Sequence, residues 1–87
     1  QKARRLSVVQ PRLTSTLLRQ TPATVVVIFI VDENGRVQDP KVQRTTNPSF
    51  DRSALAAIKQ WKFEPAKVQG RSVSSRLRQS FSFENNT

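Results

Sequence analysis

Asp32 and Glu33 are the only adjacent carboxylates in the chain, and a close pair of acids is the first place to look for acid–base chemistry. They stand immediately before Asn34-Gly35, between two apolar stretches, where acidic side chains serve turn geometry. Their role is read as structural. The chain has no cysteine and no histidine. That removes thiolate nucleophiles, imidazole bases and the usual ligands of zinc, iron and copper. No catalytic residue, metal or cofactor is expected, and the chain is read as a non-enzyme. Trp61 has the face to stack on a ligand, but it closes an apolar stripe and is assigned to the core. Arg76 and Arg78, two apart on the exposed parity of a strand, keep two readings open. They belong to a solvated sheet face, or to a surface that meets acidic residues flanking a bound strand.

The formal charge is +9, from fifteen basic and six acidic residues among 87. Such a balance keeps a domain soluble and draws it toward polyanions. The basic residues nevertheless run from Lys2 to Arg78 without a dense cluster, which fits a solvated basic face. A specific nucleic-acid module is disfavoured on two grounds. Phe50, Trp61, Phe63, Phe81 and Phe83 fall at inward positions, leaving no exposed stacking set, and the two glycines, Gly35 and Gly70, cannot form a Gly-x-x-Gly clamp.

These residues need elements to position them. One domain is expected at this length. Residues 1–10 read as a basic arm or linker end, and residues 11–87 as the domain proper. Leu13, Leu17 and Leu18 suit a short helix starting near Pro11. Thr24 to Asp32 is the clearest strand, apolar on both faces and therefore central. Its apolar run, Val25 to Val31, is far shorter than the roughly 20 residues that cross a bilayer. A start at Gln1 instead of Met suggests an excised fragment, and any membrane anchor would lie outside it.

Asn34-Gly35 predicts a tight hairpin in which both residues tolerate positive φ. Arg36 to Thr45 returns as the second strand, at an edge and bulged near Asp39-Pro40, because proline cannot donate to a central ladder. Asn47-Pro48 opens the main helix, with asparagine as cap. Phe50, Ala54, Ala57, Ile58 and Trp61 then form one stripe at a 3.6-residue period. The last strand is predicted from about Ser72 to Glu84, with Val73, Leu77, Phe81 and Phe83 inward and Arg76, Arg78, Ser80 and Ser82 outward. The fold class is α+β. A split βαβ unit forms a three-stranded antiparallel-type sheet in the order second, central, last, with both helices on one face. The last strand is then an edge, with a free row of backbone N–H and C=O groups.

The stretch Val25-Val26-Val27-Ile28-Phe29-Ile30-Val31-Asp32-Glu33-Asn34-Gly35-Arg36-Val37 resembles the first hairpin of the TonB C-terminal domain family: an apolar strand, Val-Asp, a turn, then Gly-Arg-Val. The stretch from Asp51 through Trp61-Lys62-Phe63-Glu64-Pro65-Ala66 resembles its helix signature, and Gly70 with the alternating strand to Phe83 extends the likeness over roughly residues 11 to 84. Two positions depart from the pattern. Pro11 leads into Arg12-Leu13 where the family has Tyr-Pro, and Ala23-Thr24 stands in place of a glycine.

The resemblance implies a periplasmic domain of an inner-membrane-anchored energy transducer. Such a domain would couple to the ExbB–ExbD complex through an upstream part and capture the TonB box of outer-membrane receptors for siderophores or cobalamin. The implied binding strand is Ser80-Phe81-Ser82-Phe83-Glu84, flanked by Arg76 and Arg78. About four to six inter-strand hydrogen bonds, each a net ~0.5–1.5 kcal/mol, would give modest affinity. The alternatives are a dimerisation or cell-wall-anchoring module of another envelope protein and, less favoured, a basic nucleic-acid-binding domain. An exposed edge also allows a homodimer.

Overall fold

The computed structural model describes residues 1–84; residues 85–87, which close the expected domain, lie outside the described residues. Ten short elements follow one another. They are strand β1 (Arg4–Ser7), helix α1 (Ser15–Leu18), strands β2 (Ala23–Val31) and β3 (Val37–Thr45), a 3-10 turn (Pro48–Phe50) running into helix α2 (Asp51–Lys59), and strands β4 (Lys62–Glu64), β5 (Ala66–Val68), β6 (Arg71–Val73) and β7 (Ser75–Phe83).

The main sheet has the order β3-β2-β7 and is antiparallel throughout, so β2 is central as its two apolar faces require. Its faces are not equivalent. Val25, Val27, Phe29 and Val31 are fully buried beneath α2, whereas Val26, Ile28 and Ile30 on the opposite face are only half-buried. The core stripe of α2 is the expected one. Phe50, Ala54, Ala57, Ile58 and Trp61 are buried together with Phe81 and Phe83. Each large side chain taken out of water contributes about 1.5–3 kcal/mol, so this single cluster carries the domain. Leu13 and Leu17 pack against the same cluster, which places α1 on the α2 side of the sheet.

Local chemistry explains the boundaries. The α1 helix starts later than Pro11, at Thr14, whose Oγ1 accepts the Leu17 N–H at 3.2 Å. Asn47 caps the 3-10 turn by accepting from the Ser49 N–H at 3.0 Å, and Asp51 then lies in the first turn of α2. In the turn that joins β2 to β3 only Gly35 takes positive φ, at 81°; Asn34 does not. The Gly35 N–H closes a turn onto the Asp32 carbonyl at 2.9 Å, the pattern of a turn followed by one left-handed residue. A bulge forms where Pro40 interrupts β3, with Asp39 at φ 50°, and a second register shift lies between Val26 and Val27.

Two features were not expected. The stretch before β7 does not extend that strand but folds back, β5 pairing with β6 about the Gln69-Gly70 turn. The basic arm also carries a strand of its own, β1, paired antiparallel with β4: Arg4 opposite Glu64, Arg5 opposite Phe63.

Candidate functional site

An antiparallel strand turns its backbone groups alternately toward one neighbour and the other. In β2 the direction is fixed at one residue. The Thr24 N–H donates to Thr46 Oγ1 at 2.9 Å, and the Thr24 carbonyl accepts the Thr46 N–H at 3.0 Å. Thr24 thus spends its backbone on the β3 side. Ser82 lies directly opposite Thr24 on β7, in a register that runs unbroken from Ala23↔Phe83 to Val31↔Ser75. Ser82 therefore points its own N–H and C=O away from the sheet, and by the two-residue period so do Ser80, Arg78 and Arg76. At Phe81 and Phe83 the backbone faces β2.

The candidate residues separate accordingly. Arg76, Arg78, Ser80 and Ser82 are exposed, with side chains on the open sheet face and backbone groups at the edge. Phe81 and Phe83 lie in the core. The Phe81 ring meets Trp61 edge-on at 5.5 Å, and Phe83 lies 4.8 Å from Phe50. Their backbone groups pair with β2, and their side chains support the edge from the core side, where they also line the groove beside it. Glu84 is exposed just beyond the end of β7.

Beside this edge runs a groove of about 450 Å³, lined on one side by Ser80 to Glu84 and on the other by Arg5 and Val8 of the arm and by Pro11 and Leu13 just after it, together with Trp61. The arm is held down by the Trp61 Nε1–H, which donates to the Val9 carbonyl at 2.9 Å, and by the Arg5 guanidinium over the indole, 5.9 Å from its centroid. Its Arg4–Glu64 ion pair sits on the surface, where such pairs contribute at most about 1 kcal/mol. The backbone nitrogen of Gln1 donates to the Lys67 carbonyl at 2.9 Å and the Lys67 N–H donates to the Gln1 carbonyl at 2.8 Å, tying this end of the arm to β5. Sequence reasoning missed Arg5, Val8, Pro11 and Leu13 as groove residues. The Leu6/Val8 alternation was the only signal, and β4, the strand that receives the arm, is three residues long.

Asp32 is used up by the hairpin. Its Oδ1 accepts from the Asn34 and Arg36 N–H groups at 2.9 and 2.8 Å, and its Oδ2 accepts from Gln38 Nε2 at 3.0 Å. The Arg36 amide, then the Gln38 amide, pull its pKa below the ordinary carboxylate value. Among the described residues no group of three or more His, Cys, Asp or Glu side chains is gathered for a metal, and no helix is long and apolar enough to cross a membrane.

A split βαβ sheet with an open terminal edge and a groove beside it defines a small α+β domain whose most accessible chemistry is backbone hydrogen bonding. The chain belongs to the family of the Gram-negative bacterial TonB protein C-terminal, which it matches over residues 18–84. It is similar to Protein TonB from two strains of Xanthomonas campestris pv. campestris, 35% identical to each over 60 residues. That similarity covers 68% of this chain and 27% of each relative, so the chain spans little more than a quarter of those proteins. In fold it is similar to the solution structure of the Pseudomonas aeruginosa TonB C-terminal domain, with a TM-score of 0.81 and 24% identity, over 99% of this chain and 89% of that one.

Proposed function

We propose that this domain receives an extended segment of an outer-membrane receptor as a fourth strand on β7, in the periplasm, as the gripping end of an inner-membrane-anchored energy transducer. The observation that carries the reading is the outward backbone of Ser82, opposite Thr24 whose own backbone is spent on β3, and of Ser80 two residues before it, both beside the groove. A strand laid there gains main-chain bonds with no requirement for a particular side chain. Its side chains alternate. One set points toward Val8, Pro11, Leu13 and Trp61 and suits apolar residues. The other lies beside Ser80, Ser82, Arg76 and Arg78 and suits small or acidic ones. Force along the strands loads these bonds in parallel, the geometry wanted for transmitting a pull from the inner membrane. Coupling to ExbB–ExbD through an upstream segment belongs to the same reading, as does the absence of catalysis.

The test is amide shift mapping with a synthetic peptide copying a receptor's TonB box. The expected result is perturbed amides at residues 80–84 and in the segment facing them, at residues 8–10, 12 and 13. Perturbation confined to the hairpin at Asn34-Gly35 would refute strand addition. Concentration-dependent shifts at β7 without peptide would instead report self-pairing of the domain.

A further inference from the structure

The face of the sheet opposite α2 carries a second surface. Along its middle run the half-buried side chains of Val26, Ile28 and Ile30. The register places Lys41 and Arg44 of β3 on one flank, opposite Ile28 and Val26, and Arg78 and Arg76 of β7 on the other, opposite Ile28 and Ile30. All four cations are exposed. Two shallow depressions repeat the arrangement. One gathers Val26 with Arg44 and Arg78; the other gathers Ile28 and Ile30 with Lys41, Arg76 and the one carboxylate there, Asp39. The face is an apolar trough between two cationic rims.

We infer that this trough docks an amphipathic α-helix with acidic shoulders, supplied by a partner protein. The rims stand two inter-strand spacings apart, about 9.5 Å, close to the width of a helix with its side chains. From Val26 to Ile30 the floor runs about 13 Å, or some two and a half helical turns, so apolar residues at i, i+3 or i+4, and i+7 meet it in sequence. Glutamates on both shoulders then reach the two rims. An extended chain does not suit this face. Its backbone groups need an edge to pair with, and the face offers none, whereas a helix satisfies its own. A planar lipid surface does not suit it either, because the apolar floor lies between longer cationic side chains and is half-buried already. This surface shares Arg76 and Arg78 with the β7 edge but uses their side chains over the sheet face and not the edge backbone, and either proposal stands if the other fails.

The probe is a synthetic helical peptide of about eighteen residues with leucines on one face and glutamates on both shoulders. Two controls accompany it, one with lysine for every glutamate and one interrupted by prolines. The expected result is movement of the Val26, Ile28 and Ile30 methyl resonances with the acidic helix alone, weakening as salt is added. The double variant Lys41→Glu with Arg44→Glu changes only exposed side chains on β3. It should bind the acidic helix at least tenfold more weakly, with its melting temperature little changed and TonB-box binding at β7 retained. A salt titration of the unaltered domain gives the same answer should that variant fold poorly. The inference is overturned if the proline-interrupted peptide binds equally well, if the shifts fall on the amides of residues 80–84 instead, or if phosphatidylglycerol vesicles move the three methyl groups while the helix does not.

Discussion

Trp61 and Val9, 52 positions apart, are joined by a hydrogen bond from the indole Nε1 to the carbonyl oxygen of Val9, 2.9 Å long. The ring that makes it is only 6% exposed and rests edge-on against Phe81, which is buried beneath the candidate binding edge. One side chain therefore joins the end of α2, the arm and β7.

Two substitutions separate its roles. Trp61→Ala empties a core position and should cost about 3–5 kcal/mol, enough to threaten so small a domain. Trp61→Phe keeps an aromatic ring but loses the bond to Val9, at a cost of about 1 kcal/mol. Chemical denaturation measures both. Amide exchange at residues 5–10 should quicken in the phenylalanine variant while β2 stays protected. An alanine variant as stable as the parent would contradict the packing described.

Proline scanning of β7 tests the parity of the edge. Ser82→Pro or Ser80→Pro removes an outward donor and should weaken peptide binding. Ser82→Ala or Ser80→Ala leaves the backbone intact and should change affinity by less than about threefold. Phe81→Pro removes a donor from the ladder to β2 together with a core ring, and should destabilise the domain itself. Binding titrations on folded variants decide between backbone and side-chain recognition: loss of binding in the alanine variants alone would point to side chains.

Gly35 is the position where the hairpin cannot accept a side chain. A Cβ there would come within 2.0 Å of the Phe63 carbonyl oxygen, in a backbone held at φ 81°. The Gly35 carbonyl also accepts the Phe63 N–H at 3.0 Å, joining the hairpin to β4. Gly35→Ala should therefore cost at least about 1–3 kcal/mol, read from the urea midpoint. Gly70, also at positive φ, has nothing within 4 Å of where a Cβ would stand, so Gly70→Ala carries conformational strain alone and should cost less.

Acid should loosen the same hairpin. The folded pKa of Asp32 lies below its unfolded value, so its contribution is present above the ordinary carboxylate range and is lost as pH falls through the lowered folded value. Asp32→Asn removes that titration, and its stability should change less than the parent's between about pH 6 and about pH 3. A carboxyl NMR titration placing Asp32 at or above the unperturbed value would contradict this.

The large elements were legible because their side chains repeat. The apolar run of β2, the stripe from Phe50 to Trp61 and the alternation of β7 each state a period, and the order β3-β2-β7 follows from one tight hairpin and one crossover. The short pairings were not legible. β1 and β4 are four and three residues long, too short for a period to emerge, and Leu6 stays 62% exposed, so no inward face marks the arm as a strand. The same reason hid one wall of the groove. Val8, Pro11 and Leu13 reach it through the Trp61–Val9 bond and the pairing at Arg5 and Phe63, which are long-range facts. Which backbone groups of β7 face outward depended on Thr46 meeting Thr24, and composition carries no trace of that contact.

The two outer strands of the sheet are unlike in one respect that bears on assembly. β3 is interrupted by Pro40 and two register shifts, so its outer rim offers no continuous row of donors and acceptors, whereas β7 keeps an unbroken register for nine residues. A sheet with one blunt rim and one clean rim has a valence of one. It can add a single strand, or pair once with a twin through the same rim, and in both cases the growing sheet then ends at β3. The blunt rim at β3 thereby stops the edge-to-edge growth that would otherwise continue into a fibre.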